Sequence, residues 1–253
     1  MNTKEGFLNT AKTLAEALPF LQRYDGAIIV IKLGGHAMTD LTAMKSFARD
    51  IVLMKQCNVN PIIIHGGGPM INATLAKLDI TSSFHEGKRI TTEEIMEVVE
   101  MVLSGKVNKS IVSALNDQGG KAVGLSGKDS SLIYCEQETP ELGCVGKIME
   151  INPEVLNSFI DSDFIPVVAP IGYGNNSKTY NINGDTVAGA LASSLSADRL
   201  LLLTDVEGVK SSEGNLIPQL DPMRARKLIK DGVISEGMIP KVNTSLDAIE
   251  NGV

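Results

Sequence analysis

Six apolar runs divide the chain, each short, β-branched and nearly free of charge: 27–33, 61–65, 121–125, 131–135, 164–168 and 199–204. Such runs predict buried strands. Between them, apolar residues at helical spacing predict helices over 41–57, 69–78, 91–117, 152–161, 185–196 and 222–231. Ahead of the first strand, Phe7, Leu8, Ala11, Leu14, Ala15, Leu18 and Leu21 recur at helical intervals, predicting an amphipathic helix over Leu8–Arg23. That helix connects no two strands, so it reads either as a helix lying on its own domain or as an oligomerisation element. Strands alternating with helices imply βαβ units and a mostly parallel sheet covered on both faces. The turn-rich stretch Gly172-Tyr173-Gly174-Asn175-Asn176 marks a lobe boundary.

Two of the strand runs end in glycine-rich turns. Ile28-Ile29-Val30-Ile31-Lys32-Leu33 leads into Gly34-Gly35, and Pro61-Ile62-Ile63-Ile64-His65 leads into Gly66-Gly67-Gly68. Glycines leave backbone N–H groups open to close approach, and the helices that follow place those groups near helix N-termini, where anions bind. Lys32 lies inside the first turn. A third segment, Thr204-Asp205-Val206-Glu207-Gly208, follows the apolar run Leu200–Leu203. In a parallel sheet all three lie beyond the carboxyl ends of strands, where ligands bind, and they are expected to share one cleft.

Composition narrows the partners. The 253 residues carry a net charge of −7 and are 43% apolar, which argues against general nucleic-acid or anionic-membrane binding. No apolar run approaches membrane-spanning length. Lys4, Glu5, Lys12 and Glu16 make the N-terminus unlike a signal peptide. The three cysteines form no C-x-x-C pair and only three histidines are present, so a reduced, cytoplasmic setting without a structural zinc site is expected.

Several familiar owners of glycine-rich turns are excluded. Gly127-Lys128 and Gly105-Lys106 lack the upstream glycine and the following hydroxyl of a Walker A loop, and no G-x-G-x-x-G occurs. The His65-Gly66-Gly67-Gly68 segment is like that of some α/β-hydrolases, but Gly124-Leu125-Ser126-Gly127-Lys128 lacks the last glycine of a nucleophile elbow. No histidine follows His85. Asp185, in Asn181-Ile182-Asn183-Gly184-Asp185, reads as a helix N-cap, as a carboxylate that holds lysines, or as both. Asn181 and Asn183 alternate on an extended segment and can present amides to a polar substrate. Arg89 is suited to bidentate carboxylate capture; it and Lys241 are, on spacing alone, equally readable as surface residues.

Taken in order, these segments resemble the amino acid kinase family, specifically its branch that phosphorylates N-acetyl-L-glutamate. The matching stretches include Ile31-Lys32-Leu33-Gly34-Gly35-His36-Ala37-Met38, His65-Gly66-Gly67-Gly68-Pro69, Gly124-Leu125-Ser126-Gly127-Lys128-Asp129, Thr179-Tyr180-Asn181-Ile182-Asn183 and Gly237-Met238-Ile239-Pro240-Lys241, within a similarity running from Leu14 to Val253. The resemblance implies a three-layer αβα sandwich of two lobes. Residues 1–25 would form a helical extension, 26–171 an acyl-amino-acid and dimerisation lobe, and 172–253 a nucleotide lobe. It implies that Lys32 and Lys241 contact the transferring phosphoryl group and that Asp185 positions both. Backbone N–H groups of Gly34, Gly35, Gly67 and Gly68 would hold phosphoryl oxygens. Gly67, Gly68, Arg89, Asn181 and Asn183 would bind the acyl amino acid, and Thr204, Asp205, Val206, Val233 and Met238 the nucleotide. ATP is the implied donor, with Mg2+ on its phosphates and no direct protein ligand. The N-terminal helix resembles the extension that links dimers into a homohexamer in members inhibited by L-arginine.

The chemistry agrees. A γ-carboxylate like that of glutamate, with a pKa of about 4.3, is an anion at neutral pH and needs no general base. The task is to bring one anion onto another and to spread charge in a loose transition state. Sibling kinases of glutamate or acetylaminoadipate, and a non-catalytic arginine-binding subunit, are the alternatives. Two departures stand out. Glu236 occupies a place where family members usually have glycine, and the chain stops at Val253, where they continue. The expectation is a truncated C-lobe.

Overall fold

In the computed structural model, residues 4–38, 40–85, 87–160, 162–235 and 237–253 are described; Glu236 lies outside them. The first half of the chain runs α1 (Lys4–Arg23), β1 (Ile28–Leu33), a 3-10 turn (Gly35–Met38), α2 (Leu41–Gln56), β2 (Asn60–His65) and α3 (Gly68–Lys77). A short hairpin of β3 (Phe84–His85) and β4 (Lys88–Arg89) follows, then α4 (Glu93–Glu100), a π-helical segment (Met101–Val107) and α5 (Asn108–Asp117). The second half runs β5 (Lys121–Ser126), β6 (Ile133–Gln137), β7 (Gly146–Ile151), α6 (Glu154–Ile160), β8 (Phe164–Ala169), β9 (Ile171–Tyr173) and β10 (Thr179–Asn181). It ends with α7 (Gly184–Ser194), β11 (Arg199–Leu202), α8 (Pro222–Lys230) and α9 (Met238–Glu250).

The central sheet has five parallel strands in the order β11-β1-β2-β8-β5. Its inner strands β1, β2 and β8 are apolar along their middles because both faces are covered, with Lys32 and His65 at the carboxyl ends of β1 and β2. Along β1, Ile29, Ile31 and Leu33 face a cluster with Ala48, Ile51 and Val52 of α2, whereas Val30 faces a second cluster with Val187, Ala188 and Leu191 of α7. On β2, Ile63 belongs to the first cluster and Ile62 and Ile64 to the second. This period-2 division yields helix, sheet and helix layers. It also puts Lys32, two residues after Val30, on the α7 side at the carboxyl end of β1.

A second sheet, β10-β9-β6-β7, and the β3–β4 hairpin complete the strands. Two sequence expectations need correcting. The helix expected over 91–117 is interrupted by the π-helical turn, and the strand expected at 131–135 lies over Ile133–Gln137, after a 3-10 turn at 129–131 with Ser130 and Ser131 at positive φ. Helix α9, which carries Lys241, goes unforeseen. Met238, Val242 and Leu246 do recur four apart, but Pro240 in the first turn masks the pattern, although proline is tolerated there.

Candidate active site

Elements from four places in the chain meet at the carboxyl edge of the central sheet. Lys32 and His65 end β1 and β2, and the two following loops are joined by Gly66 N–H donating to the Leu33 carbonyl at 3.0 Å. Helix α7 starts against both: a Cβ on Gly184 would lie 3.2 Å from the His65 carbonyl oxygen and 3.5 Å from Lys32 Cε. Asn183, not Asp185, is the N-cap of α7, its Oδ1 accepting from the N–H groups of Asp185 (2.8 Å) and Thr186 (3.3 Å). The cap is satisfied by its neighbour, so the Asp185 carboxylate is left for other partners.

Those partners are the two lysines. Lys32 Nζ lies 3.0 Å from Asp185 Oδ1, and Lys241 Nζ, arriving from α9, lies 2.8 Å from Oδ2. The Asp185 and Lys32 side chains are only 7% and 11% exposed. Burial alone would raise the Asp185 carboxyl, but the adjacent charges and hydrogen bonds of Lys32 and Lys241 outweigh it and hold the group below the usual carboxylate range. Taken alone, this cluster of one carboxylate between two ammonium groups is net positive.

The glycine loops are shaped for close approach. Gly35 adopts φ +66, a left-handed conformation that favours glycine, and a Cβ there would meet the Asp205 carboxylate at 2.1 Å. At Gly34 a Cβ would sit 2.4 Å from Lys32 Nζ, so glycine lets the ammonium occupy its place. Gly35 and Gly68 are the first residues of a 3-10 turn and of α3. Their N–H groups therefore have no acceptor within those helices.

A cavity of about 500 Å3 opens beside the cluster, lined by Lys32, Gly66, Gly67, Gly68, Arg89, Asn181, Asn183 and Asp185, with apolar walls from Ile71, Phe84, Leu103, Val145 and Ile148. Arg89 is 6% exposed. It donates to Ser82 Oγ and to Asn72 Oδ1 and stacks over Phe84 with Cζ 4.7 Å from the ring centre. Among the described residues it has no carboxylate partner. Burial lowers its pKa, yet a guanidinium stays charged, so the cavity offers an anion an unneutralised fork. Asn181 Nδ2 donates to the buried Thr91 hydroxyl at 3.3 Å.

A separate cleft holds Asp205, Val206, Val233 and Met238, four of the five residues expected to bind nucleotide. Thr204, two residues past the end of β11 and next to Asp205, is not in its lining. Lys241, Gly34 and Gly35 do not line the first cavity; Lys241 joins it through Asp185. Lys88, which pairs with Glu138 across the cavity mouth, and Lys147 were not foreseen. A charged residue on a short hairpin carries no signal of where it will point. Among the described residues, no cluster of histidine, cysteine or carboxylate side chains could hold a metal ion, and no helix is long and apolar enough to cross a membrane.

A parallel α/β sheet with two glycine loops at its carboxyl edge, a buried Lys-Asp-Lys cluster beside them, a cavity and a separate cleft has the architecture of a group-transfer enzyme of the amino acid kinase class. The chain belongs to the amino acid kinase family, whose model matches residues 27–253. It is 60% identical over 247 residues to the acetylglutamate kinase of Ruegeria pomeroyi, covering 98% of this chain and 86% of that protein. It is 58% identical over 250 residues to that of Dinoroseobacter shibae, covering 99% and 87%. Among solved structures, a Streptococcus mutans UA159 protein superposes with TM-score 0.83 at 30% identity over 90% of this chain and 92% of that one. N-acetylglutamate synthase from Neisseria gonorrhoeae, complexed with coenzyme A and N-acetyl-glutamate, superposes with TM-score 0.85 at 22% identity, covering 96% of this chain and 56% of that one. This last likeness concerns the fold alone.

Proposed function

We propose that this protein transfers the γ-phosphoryl group of ATP to the γ-carboxylate of N-acetyl-L-glutamate, giving N-acetyl-L-glutamyl 5-phosphate in arginine biosynthesis. One observation carries the reading: a cavity with a buried guanidinium in its wall that has no carboxylate partner among the described residues, and a Lys-Asp-Lys cluster beside it. A substrate with two carboxylates and a short apolar acyl group matches that lining. The names of the relatives at 58–60% identity support the same substrate.

In this reading Arg89 and the Asn181 amide hold the α-carboxylate and acetamido group, and the γ-carboxylate points toward Lys32. The Asn183 amide nitrogen helps, its oxygen being committed to the α7 cap. Residues 26–171 contribute most of the acyl site and 172–253 most of the nucleotide site, with the 181–185 segment at their junction. The adenosine lies in the cleft of Asp205, Val206, Val233 and Met238. Lys32, Lys241 and the N–H groups of Gly34, Gly35, Gly67 and Gly68 disperse the charge that spreads over the phosphoryl oxygens. Asp185 aims both ammonium groups without touching the phosphoryl group. Mg2+, carried on the ATP phosphates, would neutralise part of their charge.

ADP release is to be compared across N-acetylglutamate, glutamate and acetylaminoadipate. The first should lead in kcat/KM by about tenfold or more, the usual worth of one misplaced methylene or acyl group; an equal or better rate with either of the others overturns the assignment. We also assign α1 to assembly of dimers into a homohexamer, because Phe7, Leu8, Leu14, Leu18 and Phe20 expose half or more of their surface on this one 20-residue helix. Removing residues 1–22 should reduce the light-scattering mass from hexamer to dimer, and an unchanged mass refutes this assignment.

A further inference from the structure

The second glycine loop is braced from behind by groups that touch no ligand in the reading above. His65 is fully buried. Its Nδ1 lies 2.7 Å from the carbonyl of Gly66, which can only accept, so Nδ1 carries the proton and Nε2 is bare. Asn108, also fully buried, offers its amide nitrogen to that Nε2 at 3.3 Å, to the Val167 carbonyl at 2.9 Å and to the Leu125 carbonyl at 3.3 Å. One side chain thus ties together the carboxyl ends of β2, β8 and β5, three neighbouring strands. Lys109 Nζ fixes the Asn108 oxygen at 3.1 Å. Gly124 makes room for this arrangement, since a Cβ there would lie 1.8 Å from Asn108 Oδ1.

The π-helical turn is what delivers Asn108. In a regular α-helix five residues sweep about 500°, so position 108 would point about 140° away from position 103. Hydrogen bonding from i to i+5 widens the turn and brings the fifth residue back over the first. Leu103, Val107 and Asn108 therefore press on one loop together. A Cβ on Gly67 would lie 2.3 Å from Leu103 Cδ2 and 3.5 Å from Val107 Cγ2. The turn is kept at a cost, because Ser104 Oγ is buried in it with no hydrogen-bond partner among the described residues.

We propose that the π-helical turn and the Asn108–His65 pair are positioning elements for phosphoryl transfer, setting the Gly66-Gly67-Gly68 loop in its anion-binding geometry from the side opposite the ligand. This rests on the kinase reading, and its test separates the two. In the full-length protein, Asn108→Leu should lower kcat roughly 10- to 100-fold, the usual effect of a small displacement of a transition-state donor. The Kd for ADP should move less than about twofold, since the adenosine cleft is elsewhere. Gly67→Ala should fall similarly, and adding Leu103→Ala, which removes the clashing methyls, should restore about tenfold of the loss. Imidazole 15N spectra should show His65 protonated at Nδ1 in the parent and perturbed in Asn108→Leu. A folded Asn108→Leu with kcat within about threefold of the parent, no rescue in the double variant, or an Nε2-protonated His65 each overturns the proposal. Should Asn108→Leu fail to fold, the Gly67 and Leu103 pair and the parent spectrum decide. Should the parent phosphorylate no acyl amino acid, the kinase reading fails, while the spectra still judge the bracing geometry.

Discussion

The cavity at the sheet edge, taken as the phosphoryl end, and the separate cleft, taken as the nucleotide end, differ in how they are built. At the phosphoryl end, Lys32, His65, Arg89 and Asp185 are each less than a tenth exposed, they sit on strand ends and a helix start, and polar partners fix each of them. At the nucleotide end the lining comes from the 205–211 loop and the 233–238 segment, Val206 is half exposed, and the supporting core is the small cluster around Ala225, Ile234, Val242 and Leu246. The first end has its geometry before ligand arrives, held by a buried charge cluster that cannot relax cheaply. The second has few buried contacts, the physical signature of a segment that opens at low cost. Under the proposed function, the contrast teaches that preorganisation is concentrated where charge would develop, while the nucleotide base would meet a more adaptable surface.

The harshest test of that contrast is Lys241→Ala. Turnover should fall roughly 10²–10³-fold, as on loss of one oxyanion donor, with the protein still folded because α9 keeps Val242 and Leu246 buried. Steady-state kinetics with a circular-dichroism control measures it, and near-normal turnover would remove Lys241 from the mechanism. Acid stability probes the same end. The His65 pKa is lowered to about 4 by burial, partly offset by its hydrogen bond to Gly66. Above the ordinary value of 6.5 both folded and unfolded forms are neutral and the full stability is present. Between 6.5 and about 4 the unfolded chain takes up a proton that the native state refuses, so stability falls with pH. The total is about 3 kcal/mol at 1.36 kcal/mol per unit. Asp185, with its pKa lowered, adds a second loss as pH falls through its folded value. Urea unfolding across this range should show the first slope in the parent and a flatter one in His65→Gln; equal slopes would mean that His65 is not the group responsible.

Arg89→Leu should raise KM for the acyl amino acid about 10- to 100-fold, the worth of a charge-assisted pair, with kcat changing less. A pure kcat effect would move Arg89 from binding to chemistry. Met238→Ala at the adaptable end should raise KM for ATP only a few-fold, corresponding to about 1 kcal/mol of lost burial. A loss as large as that of Lys241→Ala would erase the distinction between the two ends.

Much of this was legible in the chain. Charge-free β-branched runs announced a sheet covered on both faces, and the glycines after two of them announced loops at its carboxyl edge. The Asn181–Asp185 segment offered Asp185 as a cap or a carboxylate for lysines; the cap fell to Asn183, because Asn is as good an N-cap as Asp and stands two residues earlier. The π-helical turn left no trace in a periodicity that fits an α-helix over 91–117. Neither did the convergence of Asn108 on His65, two residues separated by 43 positions.

The sequence by itself determined the five strands of the central sheet, its cover on both faces and the two glycine loops, because those follow from local pattern and from the need to cover apolar strands on both sides; β3, β4, β7, β9 and β10 escaped it. The resemblance implied that Asp185 serves both Lys32 and Lys241, and the structure supplied the distances. Only the tertiary structure decided that Arg89 would be buried without a carboxylate partner among the described residues, and that a wider helical turn would carry Asn108 beneath the second loop. Both depend on distance and angle between elements remote in the chain, and neither leaves a periodic signal along it.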